Sequence, residues 1–300
     1  MLISNVPRPA TSSALHVVAV IPSRYGAERF PGKPLHPIAG TPMVLRVLEQ
    51  ALRATRVSLV LVATDDERIA RTVESAGGRA VLTDPALRSG TDRVFAAVKD
   101  LDVDVVLNVQ GDEPLMDPEN IDRVAGFLLE HPGFPLATVA LPLHDPAEVA
   151  NPNNVKVVRG DDGRALYFSR AALPYRRTPE AGLPTLKHLG LYGYRKDALR
   201  RWTSLPQHPL ERAEGLEQLR ALAAGMAMAV LDAASDSIGV DTLEDVRRVE
   251  EILRKSVGSA GPTTERAAFP APAAFTFEEK QRDLDRAVNL LATTEVQRGN

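Results

Sequence analysis

Residues 15–21, LHVVAVI, are nearly all apolar and rich in β-branched side chains, and Pro22 closes the run. Such a run is the pattern of a strand buried on both faces. VSLVLVA at 57–63 and VDVVLNV at 103–109 repeat it. Amphipathic helices are predicted between the runs. One spans 41–54, with Thr41 as N-cap and Pro42 in the first turn. Asp65 or Asp66 caps a second, which ends near Gly77 and Gly78, and Asp117 with Pro118 opens a third. Apolar strands alternating with helices mean βαβ units: a Rossmann-like α/β fold, mostly parallel, with helices on both faces. In such sheets ligands sit beyond the carboxyl ends of the strands. The segments that follow the three strands, SRYGAERFPGKP, TDD and QGDEP, therefore carry the most interest.

The pattern changes after about residue 135. LATVALPL at 136–143 is a strand, and KVV (156–158) and ALYF (165–168) flank a hairpin signal, RGDDGR. KHLGLYGYR at 187–195 and MAMAVL at 226–231 add further strands, and a helix is expected over 241–255. These strands predict a mixed sheet with an inserted β-rich lobe at about 136–200. Residues 256–275, rich in Pro, Ala, Gly and Ser, read as a linker, and 276–300 as a helical appendage opened by a capping box, TFEE. Residues 1–14 read as a loose tail without the basic and apolar regions of a signal peptide.

Composition narrows the chemistry. The 300 residues contain no cysteine, which excludes disulfides, thiolate catalysis and cysteine-held metals. A net charge of −3 gives no ground for broad nucleic-acid binding, so any anion site is local. No apolar run approaches the roughly 20 residues that cross a bilayer. The expectation is a soluble cytoplasmic protein without membrane or nucleic-acid partners.

Several segments admit both a functional and a merely structural reading. The loop at 21–35 places Arg24, Arg29 and Lys33 among two glycines and three prolines. It is either a solvated basic loop or a wrap for a polyanion, with arginine forks and backbone amides facing phosphate. It has neither the P-loop nor the dinucleotide fingerprint. In QGDEP, Asp112 is a Mg²⁺ ligand beside Glu113, or one acid caps a helix. Asp241 in GVDTLEDV carries the same ambiguity. Ser89, Gly90 and Thr91 start a helix whose amides face a ligand or nothing. On KHLGLYGY, His188, Gly190, Tyr192 and Tyr194 share one face, which holds a sugar, meets solvent or forms an interface. Glu217 and Gln218 read as a solvated flank beside buried Leu216 and Leu219.

Taken together, PSRYGAERFPGKPL, VATDD, SGTDR, NVQGDEP, NPNNVKVV, LYFSR, KHLGLYGYR, LEQLR and GVDTLEDV stand in the order found in 3-deoxy-manno-octulosonate (Kdo) cytidylyltransferases. The chain resembles that family over about residues 15–254. The resemblance implies a GT-A-like nucleotidyltransferase that converts CTP and Kdo to CMP-Kdo and pyrophosphate with Mg²⁺, as a homodimer, for lipopolysaccharide synthesis. It maps the nucleotide to Arg24, Arg29, Lys33, Ser89, Gly90, Arg93 and Gln110, and the metal to Asp112 and Asp241. It maps the sugar acid to Arg170, His188, Tyr192, Glu217 and Gln218. Arg24, Lys33, Asp112 and Asp241 are then the catalytic set. GAER replaces a Ser-Thr-Arg run frequent in the family, and Leu243 replaces a proline. Rival readings are a cytidylyltransferase for sialic acid or amino-Kdo, and an inactive nucleotide-binding scaffold. The acid pair argues against the scaffold. Two carboxylates brought to one point repel unless a cation lies between them, so the metal-free site is expected to be strained.

Overall fold

The computed structural model of the chain describes residues 15–26, 30–178 and 182–258. The tail at 1–14, Arg29, most of the 256–275 linker and the helix expected at 276–300 lie outside the described residues. In chain order the elements are β1 (Leu15–Ser23), β2 (Pro37–Ile38), β3 (Thr41–Pro42), α1 (Met43–Arg53), β4 (Leu59–Thr64), α2 (Glu67–Ser75) and β5 (Ala80–Leu82). There follow α3 (Gly90–Val98), β6 (Val103–Val109), α4 (Pro118–Glu130), β7 (Leu136–Leu143), α5 (Pro146–Ala150), β8 (Lys156–Arg159) and β9 (Ala165–Ser169). The last are β10 (Thr185–Arg195), α6 (Lys196–Ser204), α7 (Pro209–Glu214), α8 (Gln218–Ala223), β11 (Met228–Asp232) and α9 (Leu243–Gly258).

The central sheet runs β11-β7-β10-β6-β1-β4-β5. Every neighbouring pair on this path is parallel except the two made by β10, which is antiparallel to both β6 and β7. The segment 136–200 thus gives β7 and β10 to the main sheet and the β8–β9 hairpin to its flank. Side chains alternate across β1 with period two. Val17, Ala19 and Ile21 face one core layer with Val44 of α1, Ile69 of α2 and Leu128 of α4. Val18 and Val20 face the other, with Val94 of α3, Trp202 of α6 and Leu219 of α8. Helices on both faces leave the strand ends as the accessible edge. No helix among the described residues is long and apolar enough to cross a membrane.

Two local expectations need correction. Thr41 is not the N-cap of α1: it pairs with Ile38 in a small antiparallel ladder, and α1 starts at Met43. The amide of Met43 donates to the His36 carbonyl, so backbone replaces a side-chain cap there. The edge strand β5 was not expected at all; it is short, half-exposed and paired only through β4. Asp66 does cap α2, accepting from the Arg68 amide at 2.8 Å, and Asp117 caps α4.

A third, smaller apolar cluster matters for the site. Ile38, Met43, Val240, Val246 and Val249 pack together, with Phe30, Leu115 and Ile238 against them. It binds the loop after β1, the loop after β6 and the start of α9 into one body.

β10 passes under α4 where only glycine fits. A Cβ on Gly193 would lie 2.5 Å from Val124 Cγ1 and 2.7 Å from Leu128 Cδ1. Gly193→Ala should therefore lower the unfolding free energy by about 1–3 kcal/mol through overpacking. Urea denaturation measures this; an unchanged midpoint would show that α4 moves aside without cost.

Candidate active site

The loops that leave β1 and β6 meet because nothing stands between them. A Cβ on Gly111 would lie 2.5 Å from the Pro22 carbonyl oxygen, so the backbones touch there. A further main-chain bond, from the Val240 amide to the Asp112 carbonyl at 2.8 Å, ties the segment before α9 to the loop after β6. Asp112 and Asp241, far apart in sequence, thereby share one ammonium. Lys33 Nζ donates to Asp112 Oδ2 at 2.9 Å and to Asp241 Oδ1 at 3.1 Å. The lysine side chain is only 12% exposed. Burial works to lower its pKa, but the two carboxylates outweigh burial and hold it above the ordinary lysine value.

This arrangement answers the ambiguity over capping. Neither acid of QGDEP caps a helix; Asp117 does so for α4. At α9 the capping is done by Thr242 and Asp245, which bond reciprocally, while Asp245 also accepts from the Asp241 amide at 3.0 Å. The Asp241 carboxylate turns to Lys33 instead. The structure also corrects the expected strain. The two carboxylates are not left facing each other, because Lys33 lies between them.

Asp112 and Asp241 lie on a cleft of about 860 Å³ that also takes in Gly90, Gln110, Arg170 and Glu217. One wall is the polar face of β10. His188 is buried, with Nε2 3.0 Å from Thr138 Oγ1, and packs edge-on to Phe168. Burial pushes its pKa down to about 3, so the imidazole is neutral at ordinary pH. Burial raises the Tyr192 phenol well above its usual value, and nearby acidic groups add to this. The face is therefore uncharged, with His188 and Tyr194 buried and Gly190 and Tyr192 half-buried.

Glu217 and Gln218 are not a solvated flank. Gln218 is buried, and its Nε2 has no partner among the described residues. Glu217 accepts from Thr91 Oγ1 at 2.6 Å, and burial raises its pKa against the pull of Thr91 and Arg220. Arg170 is anchored by the Glu214 backbone carbonyl at 2.7 Å and by Pro152 O at 3.1 Å. Ser89 caps α3, accepting from the Asp92 amide. Arg93 stands behind the cleft rather than in its lining. It is wholly buried and donates to Thr83 Oγ1 and, at 3.1 Å, to Asp65 Oδ2. Burial lowers its pKa; Asp65 opposes this and the Arg24 charge adds to it. Arg24 is exposed just beyond β1.

Glu113 was seen in the sequence only as a neighbour. It is buried, accepts from the Gly190 amide at 3.2 Å, and has the Ser237 hydroxyl beside its carboxylate. Burial raises its pKa to about 7. It joins the loop that carries Asp112 to the middle of β10. An acid that directly follows another acid gave no separate signal for such a link.

Residues 18–229 match the protein family described as Cytidylyltransferase. The chain belongs to that family. Among relatives of this cytidylyltransferase, the 3-deoxy-manno-octulosonate cytidylyltransferase of Desulfatibacillum aliphaticivorans is 49% identical over 243 residues, 80% of this chain and 99% of the relative. The 8-amino-3,8-dideoxy-manno-octulosonate cytidylyltransferase of Shewanella sp. (strain ANA-3) is 46% identical, again over 80% of this chain and 99% of its own length. A solved structure of CMP:2-keto-3-deoxy-manno-octonic acid synthetase complexed with CTP is similar at a TM-score of 0.77 and 40% identity, covering 80% of this chain and 99% of that one. The α/β fold of this cytidylyltransferase is the one that structure has.

Two predictions follow from the site of this cytidylyltransferase. Lys33→Met should leave the two carboxylates opposed and lower the stability of the metal-free protein. The acids are 35% and 44% exposed, so solvent screening holds the loss to about 1 kcal/mol. Added Mg²⁺ should restore it, as a calorimetric melt with and without the ion would show. A variant that melts at or above the parent without Mg²⁺ contradicts the bridging role. The second concerns His188. An unfolded histidine takes up its proton near pH 6.5, the folded one only near 3, so its contribution is full above 6.5 and lost as pH falls through that window. His188→Gln should flatten the acid limb of stability, by up to about 3 kcal/mol at pH 4. Equal slopes in the two proteins would show that His188 protonates normally.

Proposed function

We propose that the chain transfers the cytidylyl group of CTP to the anomeric hydroxyl of Kdo and releases pyrophosphate, with a divalent cation bound at Asp112 and Asp241. The observation that carries this reading is the shared ammonium of Lys33. It holds two carboxylates at one point on a cleft that also takes in the uncharged face of β10. The donor set fits Mg²⁺, which takes one or two carboxylates and completes its shell with phosphate and water. No group of three or more acidic, histidine or cysteine side chains suited to a metal occurs among the described residues. When bound, the ion supplies charge neutralisation for the phosphates and acidifies the attacking hydroxyl.

The remaining work belongs to the chain. The anomeric oxygen forms a bond to the α-phosphorus, the bond from that phosphorus to the β-phosphate oxygen breaks, and the hydroxyl proton passes to solvent. Because the charge is spread over phosphate oxygens, positioning and electrostatics dominate over covalent chemistry. Arg24 and Lys33 supply positive charge for the departing pyrophosphate. Arg170, held by backbone carbonyls, is suited to the sugar carboxylate through its guanidinium. His188, neutral down to about pH 3, orients hydroxyl groups and takes up no second proton. Homodimer formation belongs to the same reading.

Pyrophosphate release tests it. The protein with CTP and Mg²⁺ should turn over Kdo in preference to 8-amino-Kdo and sialic acid, and should use CTP in preference to UTP. Asp112→Asn and Asp241→Asn should each lose at least about 100-fold in kcat while keeping the native circular dichroism. Preferred turnover of 8-amino-Kdo would replace the sugar in this reading. Absence of release with every sugar acid would overturn it.

A further inference from the structure

β10 is irregular where it faces the cleft. Its register against β7 runs through His188 opposite Ala140, then resumes with Tyr192 opposite Thr138, so the ladder is interrupted between them. Bulges of this kind re-aim side chains beside functional sites and strip backbone groups of their ladder partners. The Leu191 carbonyl lies within this break on the β7 side. Thr138, wholly buried on β7, covers it: Oγ1 lies 2.7 Å from Leu191 O, with Leu189 O at 3.5 Å. The same hydroxyl lies 3.0 Å from His188 Nε2.

These distances decide a proton that the heavy atoms alone do not show. A hydroxyl has one hydrogen to give. Two oxygens 2.7 Å apart, one a carbonyl, require that hydrogen between them. Thr138 therefore donates to Leu191 O and has only lone pairs to offer His188. Nε2 must carry the imidazole proton, and Nδ1 is left as a bare acceptor. The ring has little freedom to choose otherwise, because Phe168 stands edge-on at 5.0 Å and Tyr192 at 5.2 Å. Nδ1 has no hydrogen-bond partner among the described residues, and His188 lines the cleft.

We propose that Thr138 is a positioning residue for substrate choice: its hydroxyl locks His188 in the Nε2–H tautomer, so that Nδ1 accepts from a donor group of the sugar acid. A hydroxyl or an ammonium is welcome at that point, and a carboxylate is repelled. Thr138 itself meets no substrate. The proposal rests on the reading of the β10 face as the sugar-acid side, but the tautomer does not.

The experiment has two arms. In the first, nitrogen NMR of the full chain labelled at histidine, with the His188 signals assigned by loss in His188→Gln, reads the tautomer at neutral pH without any substrate. The parent and Thr138→Ser should show a protonated Nε2 and an unprotonated Nδ1. Thr138→Val, equal in shape but without a hydroxyl, should show a mixture or the opposite tautomer. In the second arm, Thr138→Val should raise KM for the sugar acid about tenfold and leave KM for CTP within about twofold, and Thr138→Ser should restore it. A parent protein with its proton on Nδ1, or a valine variant that keeps both the tautomer and the sugar KM, overturns the proposal. Should the valine variant fail to fold, the parent and serine spectra still decide. If no sugar acid is turned over, the functional reading fails while the tautomer arm still reads the lock.

Discussion

Two carboxylates held at one point in a folded chain repel unless positive charge lies between them. That constraint organises this molecule. Lys33 meets it with a single ammonium, and for the ammonium to reach both acids three loops must converge. The convergence is apolar and backbone-made rather than ionic. The small cluster around Ile38, Met43 and Val240 joins the loops from behind, the Val240 amide holds the Asp112 carbonyl, and Gly111 lets the turn after β6 lie against Pro22. The ion pair is the visible result; the hydrophobic and main-chain contacts are what position it. An ion pair this exposed contributes little stability by itself.

The β10 face of the cleft works by other means. β10 enters antiparallel between β6 and β7, and its bulge turns a polar face toward the cleft. Burial strips that face of charge: His188 stays neutral and the Tyr192 phenol keeps its proton. One part of the cleft thus carries the Lys33-bridged acid pair, and the β10 face carries neutral hydrogen-bonding groups. Glu113 connects them, with its backbone next to Asp112 and one carboxylate oxygen on the Gly190 amide.

Much of this was legible in the sequence, for reasons that differ by residue. The apolar runs at 15–21 and 103–109 announce buried parallel strands, because only burial on both faces removes the polar alternation. The strand-end rule then points to the loops holding Lys33 and Asp112. β5 gave no comparable signal, since an edge strand of three residues buries too little to leave a pattern. Thr41 looked like a helix cap, yet a cap signal is local and the pairing of Thr41 with Ile38 is not. Thr138 sits in LATVALPL as one more β-branched residue of a strand. Its role depends on a bulge in β10 more than forty positions later, and no pattern within its own strand records that. Gln218 and Glu217 read as polar flank because the burial of Gln218 and the bond of Glu217 to Thr91 of α3 are tertiary facts.

The order of the chain gives the acid pair a temporal aspect. Lys33 and Asp112 belong to the first half of the chain, and the strands of the central sheet are all present once β11 has been made. Asp241 comes after them, with α9. A nascent polypeptide that has left the ribosome as far as β11 holds the sheet, the lysine and one carboxylate, and no second acid. The anionic centre is therefore complete only once the segment that carries Asp241 and opens α9 has been added.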